Sequence, residues 1–100
     1  MTDIKNTLLD VIPFGKENKI TSSEISRITG LSGVEIRKYV HQLRTDNKPI
    51  ASDCKGYWIA TEEKDIDKTI SSLNSRIHEM IVVRESLKNA KRNIKVNVCG

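Results

Sequence analysis

The chain has 100 residues, 37% of them hydrophobic and only 4% aromatic, which is enough for one small core and too little for two. Its 17 Lys and Arg against 13 Asp and Glu leave a net charge of +4. The excess lies in two blocks: residues 16–50 carry seven cations and four acids, and residues 66–100 carry seven and three. A polyanionic partner suits that distribution, whereas no apolar run is long enough to insert into a membrane.

Residues 3–12, "DIKNTLLDVI", place Ile4, Leu8, Leu9, Val11 and Ile12 on one helical face, and Pro13 disfavours helical geometry at the residue before it. A first helix therefore ends near Ile12, and the loop "PFGKENK" follows. The next stretch, "ITSSEISRITGLSGVEI", contains the same punctuation twice: Thr21-x-x-Glu24 and, eleven residues later, Ser32-x-x-Glu35. Each is a capping box, with Ile20 and Ile25, and Leu31 and Ile36, spaced as hydrophobic staples. Two helices thus begin at Thr21 and Ser32, and Gly30 ends the first in the left-handed conformation that glycine adopts without steric cost.

The third helix is expected from Gly33 to about Asn47, where Pro49 prevents continuation. In "PIASDCKGYWIAT", two short β-branched or aromatic runs flank Asp-Cys-Lys-Gly, which predicts a β-hairpin with Gly56 taking a positive φ in the turn. Tyr57 and Ile59 then share an inward face and leave Trp58 on the other, where it covers the root of the last helix. Thr61 is the expected cap of that helix, with Glu62 and Glu63 in its first turn.

Along this last helix the positions Ile66, Ile70, Leu73, Ile77, Met80, Arg84 and Leu87 alternate steps of four and three, the spacing of a heptad seam. Ile81 lies beside the seam, Ile94 is in phase, and Arg84 and Lys91 interrupt it. A helix from Glu62 to near Asn93 would be ~45 Å long, more than a body of about 60 residues can cover. The simplest cover is a second copy, so a homodimer through Ile66, Ile70, Leu73, Ile77, Met80 and Leu87 is expected, the alternative being a helix folded back on its own domain. The expected organisation is a domain over residues 1–60, a dimerisation helix over 61–94 and a flexible tail over 95–100.

Helix, helix, turn, helix, hairpin is the order of a winged helix-turn-helix. Gly30 in the turn, "SGVEIRKYVHQLR" as third helix and "PIASDCKGYWIA" as wing resemble the DNA-binding domain of the biotin operon repressor type. The wing with "EKDIDKTISSLNSRI" is also similar to small winged-helix proteins encoded by phages and prophages of Gram-positive bacteria. The resemblance covers about Ile4 to Ile77. It implies a mainly α fold with a small β-hairpin, followed here by the long C-terminal helix, and binding to double-stranded DNA, often as a dimer.

At about 100° per residue, Ile36, Tyr39, Val40 and Leu43 form the core face of the third helix, and Val34, Lys38, His41 and Thr45 the opposite one, flanked by Arg37 and Gln42. In a helix-turn-helix the amino-terminal half of this helix meets base edges, which makes Gly33, Val34, Arg37, Lys38 and His41 the candidates. Arg37 suits the forked acceptors of guanine, and the Val34 methyls suit a thymine methyl. Ser23, Ser32 and Lys55 suit phosphates. A solvated helix face explains the same charges, and Lys55 beside Asp53 makes a weakly basic wing. The run "KNAKRNIK", with Lys88, Lys91, Arg92 and Lys95, offers further phosphate contacts or simply complements the helix dipole.

His and Cys at 41, 54, 78 and 99 match no zinc spacing, and no Gly-rich phosphate loop, G-x-S-x-G elbow or paired-acid cleft occurs. A non-enzyme without cofactor or metal is expected. Cys54 and Cys99, with no C-x-x-C pair and no signal peptide, point to a reducing cytoplasm, that of a bacterial host if the chain is phage-encoded. The leading expectation is a dimeric transcriptional regulator of a phage or mobile element. The alternatives are a phage replication accessory that binds DNA and a winged-helix module that binds a host replication or transcription protein.

Overall fold

The computed structural model describes residues 3–99, with side chains described through Ile94. The side chains of residues 95–99 lie outside the described residues, but their backbone continues the last helix to Cys99, where a flexible tail over residues 95–100 is expected. Helices α1 (Ile4–Val11), α2 (Ser22–Thr29) and α3 (Gly33–Thr45) precede a hairpin of β1 (Ile50–Asp53) and β2 (Gly56–Ile59), and α4 (Glu63–Cys99) closes the chain. The protein is mainly α with one two-stranded antiparallel hairpin, as expected. It divides into two units, Met1–Thr69 and Ile70–Gly100.

In the first unit, local chemistry sets the helix ends. The Asp3 carboxylate accepts the Lys5 backbone N–H at 3.0 Å to start α1, and Ile12 leaves the helix in extended geometry ahead of Pro13. Both capping boxes form: Thr21 Oγ1 accepts from Glu24 N at 3.1 Å and Ser32 Oγ from Glu35 N at 3.2 Å, with each glutamate accepting the cap residue's own N–H. Gly30 follows α2 at φ 78°, its N–H donating to the Ser26 carbonyl at 2.8 Å. Removing the first cap tests how much this chemistry stabilises the domain. Thr21→Ala is expected to cost about 0.5–2 kcal/mol, read as a lowered urea midpoint with unchanged slope.

Helix α3 stops at Thr45, short of the expected Asn47. Asn47 turns left-handed at φ 67°, and the Asn47 and Lys48 N–H groups donate to the Arg44 and Leu43 carbonyls, each at 3.0 Å. This is a Schellman ending with Asn in the position usually given to Gly, so the helix has closed before Pro49 can interrupt it. Lys5 of α1 pairs with Asp46 at this end, 2.9 Å apart.

Leu8, Ile12, Ile25, Ile36, Val40 and Leu43 fill the space between the three helices, and Leu31, Ile50 and Ile59 extend the same core beneath the hairpin. Tyr39, Tyr57 and Ile20 pack half-buried around it.

The segment before α2 is more ordered than a loop. Residues Lys16–Asn18 form a 3-10 turn, Phe14 makes a parallel bridge to Ile59, and Ile20 an antiparallel one to Tyr57. Ile20 and Tyr57 exchange N–H···O bonds of 2.9 and 2.8 Å, so β2 is paired on both sides. This pairing also changes the role of Gly56, whose φ is not positive as expected. A Cβ there would stand 2.4 Å from the Ile20 carbonyl oxygen, so the need for glycine is close approach.

The hairpin loop is Cys54-Lys55, closed by Asp53 Oδ1 accepting from the Lys55 and Gly56 N–H groups at 2.8 and 3.1 Å. The other Asp53 oxygen binds Lys19. The Lys19 ammonium, opposed by desolvation and helped by the two N–H donors, holds the Asp53 carboxyl below its ordinary value of 3.8. Its contribution to stability is thus complete above the unfolded value and lost as pH falls through the lower folded one. Asp53→Asn is expected to cost about 0.5–1 kcal/mol at neutral pH. In urea titrations that difference shrinks only once the pH drops below about 3.8.

Helix α4 starts at Glu63, two residues after the expected cap Thr61, with Glu63 and Asp65 as the acids of its first turn. The Ala60 N–H still donates to the Pro49 carbonyl at 2.9 Å, and the chain then passes through a bend at residues 61–62 before the helix begins. Trp58 is only 3% exposed and donates from Nε1 to the buried Asp65 carboxylate at 3.3 Å, which places it against the root of α4 as its position on the strand implied. The outer edge of β1 is covered too: Arg44 Nε donates to the Ile50 carbonyl at 3.0 Å, and Thr69 Oγ1 accepts the Ser52 N–H at 3.3 Å. A paired or covered edge is not a template for another strand.

In the second unit, every described side chain from Ile70 to Ile94 is exposed. Ile70, Leu73, Ile77, Met80 and Leu87 are among them, whereas Ile66, in the first unit, is half-buried. Among the described residues, no helix is long and apolar enough to cross a membrane.

Candidate nucleic-acid interface

The candidate surface rests on α3. Ile36, Val40 and Leu43, the first fully buried and the other two 2% exposed, fix the rotation of the helix and leave Val34, Arg37, Lys38 and His41 in solvent. Val34, an apolar side chain with no packing role, is 67% exposed in the first turn after the cap. Gly33 is half-buried, and a Cβ built on it would lie 3.8 Å from the Arg37 guanidinium. Arg37 therefore reaches back along the helix toward its amino end, and a larger residue at position 33 would meet it.

Among the described residues the ion pairs take up Lys5, Lys19, Lys64, Arg84 and Lys88, and neither Arg37, Lys38 nor Lys55 is in one. Lys38 Nζ lies 5.5 Å from the ring centroid of Tyr39, a cation–π contact that leaves its charge uncompensated. The carboxylate nearest in sequence, Glu35, is held by the Ser32 N–H in the capping box. The exposed face of α3 therefore offers two cations outside any ion pair and an exposed methyl pair in its amino-terminal half, with the His41 imidazole just beyond.

Ser32 is exposed, and its Oγ already serves as the helix cap while its hydroxyl hydrogen stays available. Ser23 is exposed in the first turn of α2. Lys55 is exposed in the hairpin loop. The Gly56 position beside Lys55 is 3.4 Å from Thr21 N, measured from the built Cβ, so the hairpin loop sits against the amino end of α2. Ser23 and Lys55 thus stand on the two segments that meet there, while the other candidates follow α3.

Two residues of the surface were not singled out from the sequence. Arg27 stands one turn after Ser23 on the exposed side of α2 and takes part in no ion pair among the described residues. Its i, i+4 spacing from Ser23 was the available signal. Ile28 is 59% exposed at the end of α2, although it follows buried Ile25 by less than one turn.

Arg44, by contrast, is turned to structure: besides the Ile50 carbonyl it binds Ser52 Oγ at 2.9 Å. Among the described residues no three His, Cys, Asp or Glu side chains are grouped so as to hold a metal ion. No protein-family model, curated protein or solved structure matches the chain.

Proposed function

We propose that the protein binds double-stranded DNA in a sequence-specific way, as a homodimeric winged-helix protein that regulates transcription of a phage or mobile element. One observation carries this reading: the exposed face of α3 presents Arg37, Lys38, His41 and Val34, with both cations free of ion pairs, directly after a capped turn. In this reading Arg37 and Val34 read base edges in the major groove, with Lys38 and His41 beside them. Ser23, Ser32, Arg27 and Lys55 hold phosphates and set the register without reading sequence. The seam of α4 joins two copies, and a two-fold protein reads two half-sites about one helical turn, ~34–36 Å, apart. The cytoplasm is where such a protein meets its DNA.

Selection from a random duplex library tests it: enrichment of one two-fold symmetric site supports the reading, and a pool that stays random after several rounds refutes sequence specificity. The position of the enriched site, at a promoter or at an origin, separates a regulator from a replication accessory. A host protein as partner is favoured by one feature, the weak charge of the hairpin loop, where Lys55 stands beside an Asp53 already bound to Lys19. On that alternative the α3 face docks on an acidic protein surface and duplex DNA does not bind.

A further inference from the structure

The exposed seam of α4 carries information about how two copies lie against each other. The heptad spacing puts Ile70, Ile77, Arg84 and Lys91 at one set of seam positions and Leu73, Met80, Leu87 and Ile94 at the other. All eight are exposed in the chain. In a parallel pair each residue of a seam layer faces its own copy. Arg84 would then face Arg84 and Lys91 face Lys91, with Arg92 and Lys88 close by and Glu85 the only acid between residues 84 and 94. Such stacked cations are destabilising, and salt screens them poorly once the layer is desolvated. The positions flanking a parallel seam offer no relief, because they bring Arg76 to Ile81 and Val83 to Lys88 without one opposite-charge pair.

Reversing one helix removes the conflict. With Ile77 placed opposite Met80 of the other copy, Ile70 falls opposite Leu87 and Leu73 opposite Arg84, each layer occurring twice by symmetry. Arg84 then covers a leucine with its aliphatic stem and carries its charge to the rim. Lys91 moves away from its own copy to the opposite end of the pair.

We propose that α4 pairs with a second copy of this chain in antiparallel orientation, centred between Ile77 and Met80, and that Arg84 and Lys91 are the residues that exclude the parallel arrangement. This rests on the dimeric reading above and adds the orientation and register, which make the two ends of each helix unlike in their surroundings.

The test uses the full chain with Cys54→Ser and Cys99→Ser, so that introduced thiols are the only ones. Ile70→Cys chains, labelled with nitrogen-15, are mixed with unlabelled Leu87→Cys chains and oxidised, and the disulfides are identified by mass. Mixed-isotope disulfides joining the two sites are expected. Same-site disulfides overturn the orientation while leaving the dimer intact, since in the antiparallel pair like sites lie 17 residues apart along the axis, about 26 Å. A dimer that forms neither overturns the register. A chain that sediments as a monomer without any substitution overturns both this proposal and the dimeric reading. Because the cysteines replace seam residues, a spin label on Asn93→Cys, outside the seam, gives an independent readout. The antiparallel pair separates the two labels by about 45 Å, and a distance under about 20 Å contradicts it.

Discussion

Replacing Arg37 and Lys38 together with Ala is expected to weaken binding to the selected duplex by about 10- to 100-fold for each half-site engaged. The fold should be untouched. Both side chains are exposed, neither is in an ion pair, and the helix beneath them is held by Ile36, Val40 and Leu43. Surface changes of this kind stay within about 0.5 kcal/mol in stability, so the thermal midpoint is expected to move by no more than about 2–4 °C. The two substitutions should also differ in kind. Arg37→Ala relaxes the preference at one base pair, whereas loss of a phosphate contact lowers affinity uniformly and flattens the salt dependence by about one charge. Unchanged affinity in the double variant would remove α3 from the interface.

Gly56→Ala is expected to produce a large loss of stability in the first unit. The new Cβ would stand 2.4 Å from the Ile20 carbonyl oxygen and 2.9 Å from its carbon, both backbone atoms that no rotamer change can move. Relief requires Ile20 to part from Tyr57, with the loss of the two bonds of 2.9 and 2.8 Å that tie the start of α2 to the hairpin. Overpacking and the two broken hydrogen bonds together cost about 2–4 kcal/mol. Equilibrium urea unfolding reads this directly. A variant as stable as the parent would mean that Ile20 does not lie against the hairpin. Gly30→Ala offers an informative contrast, because no atom lies within 4 Å of its built Cβ and its penalty comes from φ 78° alone.

These contrasts explain what the sequence made legible. The limits of α2 and the start of α3 were readable because capping boxes are chemistry between residues three apart, and Thr21, Glu24, Ser32 and Glu35 carry it in their side chains. The core face of α3 was readable because its period survives in Ile36, Val40 and Leu43. The pairing of Phe14 and Ile20 with β2 left no trace, since it is made by backbone groups some 40 residues apart and any side chain permits it. The close approach that requires glycine at position 56 is consequently invisible in the sequence, where its place in the turn suggests a positive φ instead. The start of α4 was misplaced for a related reason: Thr61 is a good cap by type, but the Ala60 bond to Pro49 precedes it and Asp65 is engaged by Trp58. Arg44 illustrates the same limit at the level of charge, because its ties to Ile50 and Ser52 depend on where β1 passes. Of the candidate surface, exposure along α3 was legible, and the approach of the hairpin loop to the amino end of α2 was not.

The central claim is that this surface meets duplex DNA, and fluorescence anisotropy of a labelled random duplex at about 50 and 200 mM salt tests it most directly. With Arg27, Arg37, Lys38 and Lys55 of both copies on phosphates or bases, affinity is expected to fall about ten-thousandfold across that range. Absence of binding at the lower salt, or an affinity that salt does not change, would contradict it and leave the α3 face as a surface for another protein.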